Sequence, residues 1–386
     1  MRIPAAVSTL REAAATTSQA PAAAAKAHAA APGELLAALA AQGGAGALRR
    51  PGAGELRDAL AEALCDMIWR AAGGGRGGGR GRAAACAAVV LCVDEAGRAM
   101  QGRACSAARL SRSLGVVRAR SRCGLGHLLR SSALPQWSEP GGWGLVLLLA
   151  SLVMSRGVEA AAADTDEAGA VPLVGAHGHC NLELVTLALT GRAVSNAFDG
   201  ERRVGGCEAD GGDGGEDGAV LRGVAEQSRV GLLSLHEWYR YLEVGQCLKS
   251  PELPIWVVSS ESHFTVLFTP PDETVLDSDF GVDAAAGTGA RGGSAGAPAP
   301  WTWAGQRPGC LEPPLTLALY DGLARQQGPI YLDVSPAQGD GWTSRLAAEM
   351  GDRGTWQGRP VPPLECVVET RWPDVRVMWR GSEPLL

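Results

Sequence analysis

The chain has 386 residues, 53 of them glycine, and a formal charge of −6. Length alone allows two or three domains, but much of the glycine and alanine lies in biased tracts that cannot bury a core, so one compact unit of roughly 200–250 residues is expected. The acidic balance, with a pI near 5.6, argues against nucleic acid as a main partner. No run reaches the ~18 apolar residues of a membrane span, so no membrane partner is expected either. The ten cysteines contain no C-x-x-C pair. That pattern is expected of reduced thiols in an intracellular protein, cytoplasmic or nuclear.

Residues 1–54 read as a low-complexity leader. A short helix is expected at Glu34–Gln42, and the Ala/Ser/Thr-rich start also permits an organelle transit peptide. In Glu55–Arg70 the apolar residues Leu56, Leu60, Leu64, Met67 and Ile68 recur at helical spacing. Gly73–Gly81 begins a Gly/Arg linker, and Cys86–Val93 reads as a strand or buried segment. Gly102–Pro140 carries no clear period. The 55–140 stretch is therefore a helix followed by Gly/Arg-rich insertions.

From Trp143 the texture changes. Gly144–Ser155 reads as a buried helix and Asp164–Asp166 as a polar loop. Gly175–Cys180 reads as a tight turn that leads to an Asn181 N-cap and a helix over Leu182–Thr190. Gly191 sits where a left-handed C-cap belongs. Gly205–Gly218 and Ala286–Pro300 read as flexible insertions. Val230–Leu235 leads into Trp238–Tyr241 and Val244–Leu248, helical or mixed. Pro254–Phe268 is two strands joined by a polar turn, with His263 at the mouth of the second. Leu315–Leu323 alternates and ends in the turn signal Tyr320-Asp321-Gly322. Pro329–Val334, Cys366–Thr370 and Val375–Trp379 read as strands. Helices come first and strands later, the order of an α+β domain.

Few residues can carry chemistry. An imidazole held between two strands can serve as a general base, and it can equally be a solvated turn residue; the local pattern leaves both open for His263. His177, His179 and Cys180 could ligate a metal, but a structural zinc needs four ligands and no second pair is evident. A helix-entry turn is the expected role there. Asp277, Asp279 and the acids of Glu208–Asp217 lack calcium-loop spacing. No phosphate-binding pattern occurs, so no cofactor and no metal are expected.

Several multi-residue segments go beyond pattern. Gly175-Ala-His-Gly-His-Cys180, Leu187–Asn196, Leu221-Arg-Gly-Val224, Val230–Leu235, Val244–Lys249 and Pro254–Phe264 occur in the order, and with the residues, of the MINDY family of deubiquitinases. The resemblance is closest to the branch of its third and fourth members. Tyr320-Asp-Gly-Leu323, Pro362–Glu365 and Trp379–Leu385 resemble the family's C-terminal end, and Ala59–Arg70 resembles a helix that follows its catalytic one. The resemblance implies a papain-like cysteine-protease fold over 141–386. It also implies thiol-dependent hydrolysis of ubiquitin chains, lysine-48-linked ones above all, with His263 as the catalytic base. Ubiquitin would be the partner.

One part of the family pattern has no match. The family's nucleophile lies in a Gly-Pro-Cys motif upstream of the segment matched by Ala59–Arg70, and its oxyanion-hole glutamine precedes that cysteine. Here the first cysteine is Cys65, inside the matched helix, so no nucleophile is identifiable and the fold is expected to be incomplete at its N-terminal end. Removing such a nucleophile costs on the order of 10⁶ in rate. Cys247 and Cys180 could substitute only if the fold brought them to His263. Three readings follow: a member of the family that begins downstream of its nucleophile, a catalytically dead ubiquitin-binding pseudoenzyme, or an unrelated metal-binding or structural protein.

Overall fold

The computed structural model describes residues 52–74, 85–93, 112–175, 178–204, 219–260, 263–270, 311–322, 326, 328–337 and 363–381. The expected helix at Glu34–Gln42, the insertions Gly205–Gly218 and Ala286–Pro300, and residues His177, Asp277, Asp279, Cys105, Cys207 and Cys310 lie outside them.

The first layer is mainly helical. Helix α1 spans Ala53–Ala71 and buries Ala61, Leu64, Cys65 and Ile68 along one stripe, whereas Leu60 of the expected stripe is exposed. Its acidic face meets three arginines: Arg130 binds Asp58 at 2.9 Å and Glu62 at 2.5 Å, Arg122 binds Glu62 at 2.9 Å, and Arg229 pairs with Asp66. Exposed pairs of this kind contribute little each. Strand β1 (Ala87–Cys92) pairs antiparallel with β2 (Leu114–Ala119). Next come α2 (Arg122–Leu128), a π-helical turn over Leu129–Ala133 and α3 (Leu134–Trp137). The widened turn precedes Pro135, whose missing N–H cannot continue an α-helical ladder. Helices α4 (Gly144–Arg156), α5 (Val158–Asp164) and α6 (Leu182–Thr190) complete the layer.

Helix α4 seals the open edge of β1. Ser155 Oγ accepts from the Ala88 N–H at 2.8 Å and donates to the Ala88 carbonyl at 3.0 Å. Ser151 Oγ, one turn earlier, accepts from the Val90 N–H at 2.9 Å. Gln136 of α3 serves Cys92 in both directions, at 2.8 Å and 3.0 Å, and Trp137 Nε1 donates to the Val90 carbonyl at 3.2 Å. Alternate residues of a strand point their backbone groups to the same edge, so side chains one helical turn apart satisfy them in sequence.

The second layer is a sheet of six described strands. Strands β3 (Glu201–Val204) and β4 (Ala219–Arg222) form a separate ribbon. The sheet has the order β10-β9-β8-β7-β6-β5, from β5 (Gly231–Ser234), β6 (Ile255–Ser260), β7 (His263–Phe268), β8 (Leu315–Tyr320), β9 (Ile330–Pro336) and β10 (Val375–Arg380). Only β5–β6 is parallel. Its crossover runs through α7 (Leu235–Trp238) and α8 (Gln246–Lys249). The crossover packs so closely that a Cβ on Gly231 would run into the Leu248 carbonyl. One face of the sheet buries Trp256, Val258, Leu267, Leu317, Leu319, Leu332 and Val334 beneath α9 (Pro363–Arg371). Trp372 closes that core edge-on to Trp256 at 5.5 Å.

Three expectations need correction. Cys366–Thr370 is not a strand but the middle of α9. Leu364, Val367 and Val368 are buried together at i, i+3, i+4 spacing, and this tertiary pattern overrides the strand preference of the two valines. Asp164 is not in a loop; it ends α5, is 7 % exposed, binds Arg156 at 2.5 Å and accepts the Ala193 N–H at 3.1 Å. Asn181 stands at the start of α6 without capping it by its side chain; its Nδ2 instead donates to the Pro172 carbonyl at 2.6 Å. Gly191 does adopt the left-handed conformation expected of it, with φ +83°, and a Cβ there would lie 2.7 Å from the Arg70 carbonyl carbon. No single described helix is long and apolar enough to cross a membrane.

Two measurements check this account. Ser155→Ala leaves both backbone groups of Ala88 without their partner and is expected to cost about 1–3 kcal/mol in urea denaturation. On α9, burial, with the charges of Asp374 and Glu365 adding to it, pushes Glu369 up to about 7. A carboxyl raised on folding binds its proton more tightly in the folded state. Stability is therefore full below the unfolded value near 4.5 and falls as pH rises to about 7. Glu369→Gln should remove that part of the decline, by up to about 3 kcal/mol above pH 7; an unchanged pH profile would refute the assignment.

Candidate active site

His263 opens β7 rather than sitting in the preceding turn. It pairs across the hairpin with Ser260, the last residue of β6, and Glu261 and Ser262 between them lie outside the described residues. Strand alternation places His263 on the face of Thr265 and Leu267, the face that packs under α9. The β5–β6 register sets Ser234 beside Ser259, so α7 begins at the same end of the sheet.

The neighbouring strand supplies a carboxylate. Val266 pairs with Tyr320, so continuing the ladder by one residue sets Asp321 opposite Thr265 and diagonal to His263 on the same face. The side chains meet: His263 Nε2 lies 2.9 Å from Asp321 Oδ2, with the two side chains 27 % and 16 % exposed. Gln326 fixes the backbone of the carboxylate. Its Oε1 accepts the Asp321 N–H at 2.8 Å and its Nε2 donates to the Leu319 carbonyl at 2.9 Å.

This geometry sets the tautomer. A carboxylate only accepts, so the ring nitrogen facing Asp321 carries the proton. Nδ1 then keeps its lone pair, and that is the atom able to take a proton from a thiol. The turn signal Tyr320-Asp321-Gly322 was visible in the sequence, but nothing in it joined Asp321 to His263; only the β7–β8 register does.

The described cysteines are all free thiols, and no hydrogen bond joins any of them to His263. Cys65 is buried in α1, with its S–H donating to the Arg122 carbonyl at 3.5 Å, and burial pushes its thiol up. Cys247 sits at the start of α8, where Asp199 Oδ1 accepts its N–H at 2.9 Å. Burial, then the hydrogen bond and charge of Asp199, push its thiol up to about 11. Cys366 is buried in α9 and pushed up to about 12, first by burial and then by Glu369 and Glu365. Cys180 pairs in an isolated bridge with Val174. His179 and Cys180 flank the entrance to α6, and among the described residues no group of three or more His, Cys, Asp or Glu is placed to hold a metal ion.

Helices packed with a mixed sheet give an α+β fold, and the family of the chain makes it one of the cysteine-protease-like class. The family model of the conserved domain of the deubiquitinating enzymes MINDY-3/4 matches residues 42–280, and the chain belongs to that family. It is 39 % identical over 251 residues to the probable ubiquitin carboxyl-terminal hydrolase MINDY-4 of Bos taurus, covering 64 % of this chain and 26 % of that protein. The identity to MINDY-4 of Homo sapiens is 37 %, with the same coverage. To the ubiquitin carboxyl-terminal hydrolase MINDY-3 of Homo sapiens it is 38 % over 141 residues, 36 % of this chain and 29 % of that protein. The chain thus spans about a quarter of the length of the curated relatives it matches. No solved structure matches it.

The raised thiols yield a direct test. Only the thiolate is nucleophilic, so at pH 7.4 iodoacetamide should modify Cys247 on the order of 10² times more slowly than a free cysteine. Mass spectrometry of timed samples reads this, and modification of Cys247 at the free rate would contradict the environment described.

Proposed function

We propose that this chain works as a thiol-dependent ubiquitinyl hydrolase on lysine-48-linked ubiquitin chains, with His263 as the general base and Asp321 as the residue that orients it. The observation that carries this reading is the 2.9 Å contact between His263 Nε2 and Asp321 Oδ2 at the open end of a sheet in a chain of this family. Nδ1 would draw the proton from a cysteine thiol, and the resulting imidazolium would be held by Asp321 while the thiolate attacks the isopeptide carbonyl. The same imidazolium would then protonate the leaving lysine amine. The names of the relatives, ubiquitin carboxyl-terminal hydrolases, make ubiquitin the substrate class, and the reduced thiols suit an intracellular compartment.

A second reading has its own support. The described thiols Cys65, Cys247 and Cys366 are all shifted away from thiolate formation. A chain with a base and no activated thiol would bind ubiquitin chains without cutting them.

Incubation with lysine-48-linked tetra-ubiquitin separates the two. Hydrolysis that His263→Ala lowers by about 10³-fold or more supports the enzyme. Saturable binding without hydrolysis, and without labelling by a ubiquitin probe bearing a thiol-reactive tail, supports the binding module. Hydrolysis that survives His263→Ala would remove the base assignment, and equal treatment of lysine-63-linked chains would remove the linkage preference.

A further inference from the structure

Thr265 is the residue beside this pair that the reaction scheme leaves unused. It is 3 % exposed, and its Oγ1 is buried without a hydrogen-bond partner among the described residues. Buried hydroxyls nearly always find one, and an orphan is costly to keep. Its polar neighbours on that face are few. His263 stands two residues before it on β7, Val258 faces it from β6, and Asp321 faces it from the end of β8 by the register that pairs Val266 with Tyr320. Ser260 is its diagonal neighbour, since Ser260 pairs with His263.

We propose that Thr265 is a positioning residue for His263: its hydroxyl donates to the Asp321 carboxylate and holds that carboxylate against imidazole Nε2. The inference rests on the reading of His263 and Asp321 as a base and its orienting group. Among the described neighbours, Asp321 alone offers a charged acceptor, and a bond to a carboxylate is about twice as strong as a neutral one. Nε2 has no lone pair to offer while it donates to Asp321. A threonine has three staggered χ1 wells, and rotation between them exchanges its hydroxyl and methyl positions on the buried face. With Gln326 holding the backbone of Asp321 at 2.8 Å and Thr265 holding its side chain, the carboxylate would be fixed at both ends.

The readout is the tautomer of His263, which needs no catalysis. Protein labelled with ¹⁵N at histidine reports the ratio of Nε2–H to Nδ1–H forms. The wild type and Thr265→Ser should both keep the Nε2–H form. Thr265→Val, which keeps the shape and loses the hydroxyl, should lower the ratio by about fivefold, the change that about 1 kcal/mol produces. Its thermal midpoint should not rise, because the hydroxyl it removes holds the Asp321 carboxylate. Thr265→Ala carries the same tautomer expectation and serves if Thr265→Val does not fold. Asp321→Ala is measured in parallel. If Asp321→Ala loses the tautomer while the variant lacking the Thr265 hydroxyl keeps it, the inference fails and the His263–Asp321 reading stands. If both keep it, that reading fails as well. Loss in Thr265→Ser would also overturn the inference, because the hydroxyl would not be the group responsible.

Discussion

The register of β6, β7 and β8 is the constraint on which the site depends. Side chains alternate with a period of two along a strand, so a slip of one residue in either pairing would move His263 or Asp321 to the opposite face. The ladder from Ile255–Phe268 through Ser260–His263 and the shorter one from Val266–Tyr320 to Phe268–Ala318 keep both on the face beneath α9. Burial enforces this. Trp256, Val258, Leu267, Leu317 and Leu319 share that face and are nearly inaccessible. Displacing them to the other side would cost far more than the polar contact at the sheet's end returns. The core therefore positions His263, and His263 contributes little to the core.

The helical layer solves a different problem by related means. The β1–β2 ribbon has only two strands and would expose an edge of unpaired backbone groups, a marginal arrangement in isolation. Ser151, Ser155, Gln136 and Trp137 close that edge with side chains. Helix α4 therefore carries two buried serines in an otherwise apolar run. A purely hydrophobic α4 would bury the same area and leave Ala88 and Val90 unsatisfied. The layer also holds α1, which the matched family segment includes.

What could be read from the residues alone depended on whether the information was local. Helix α1, Gly191 and strands β6, β7 and β10 follow from spacing and turn chemistry. Helix α9 was misread because Cys366–Thr370 holds two adjacent valines, and the stripe Leu364, Val367, Val368 becomes visible only once the sheet beneath them is known. His263 stood out as a candidate from its hairpin and from its resemblance to the family motif. Asp321 was not, because its link to His263 joins residues 58 apart across a strand pairing that no local period encodes. Thr265 was more hidden still, since an unpaired hydroxyl is a property of the packed core.

The thiols show how selective the electrostatics of the chain are. A nucleophilic cysteine needs its thiolate stabilised, by a helix N-terminus, a cation or an imidazolium. Cys247 has the first of these in position at α8, but Asp199 already occupies it, accepting from Gln246 and Cys247 at 2.7 and 2.9 Å, and its negative charge opposes a second anion there. Cys366 lies between Glu365 and Glu369 in an apolar layer, where both burial and charge disfavour the thiolate. The imidazole, by contrast, is only partly buried and keeps Nδ1 without a protein partner among the described residues. The imidazole thus keeps Nδ1 available, while burial and neighbouring carboxylates disfavour the thiolates of Cys247 and Cys366. That division follows from where each group stands relative to Asp199, Glu365 and Asp321.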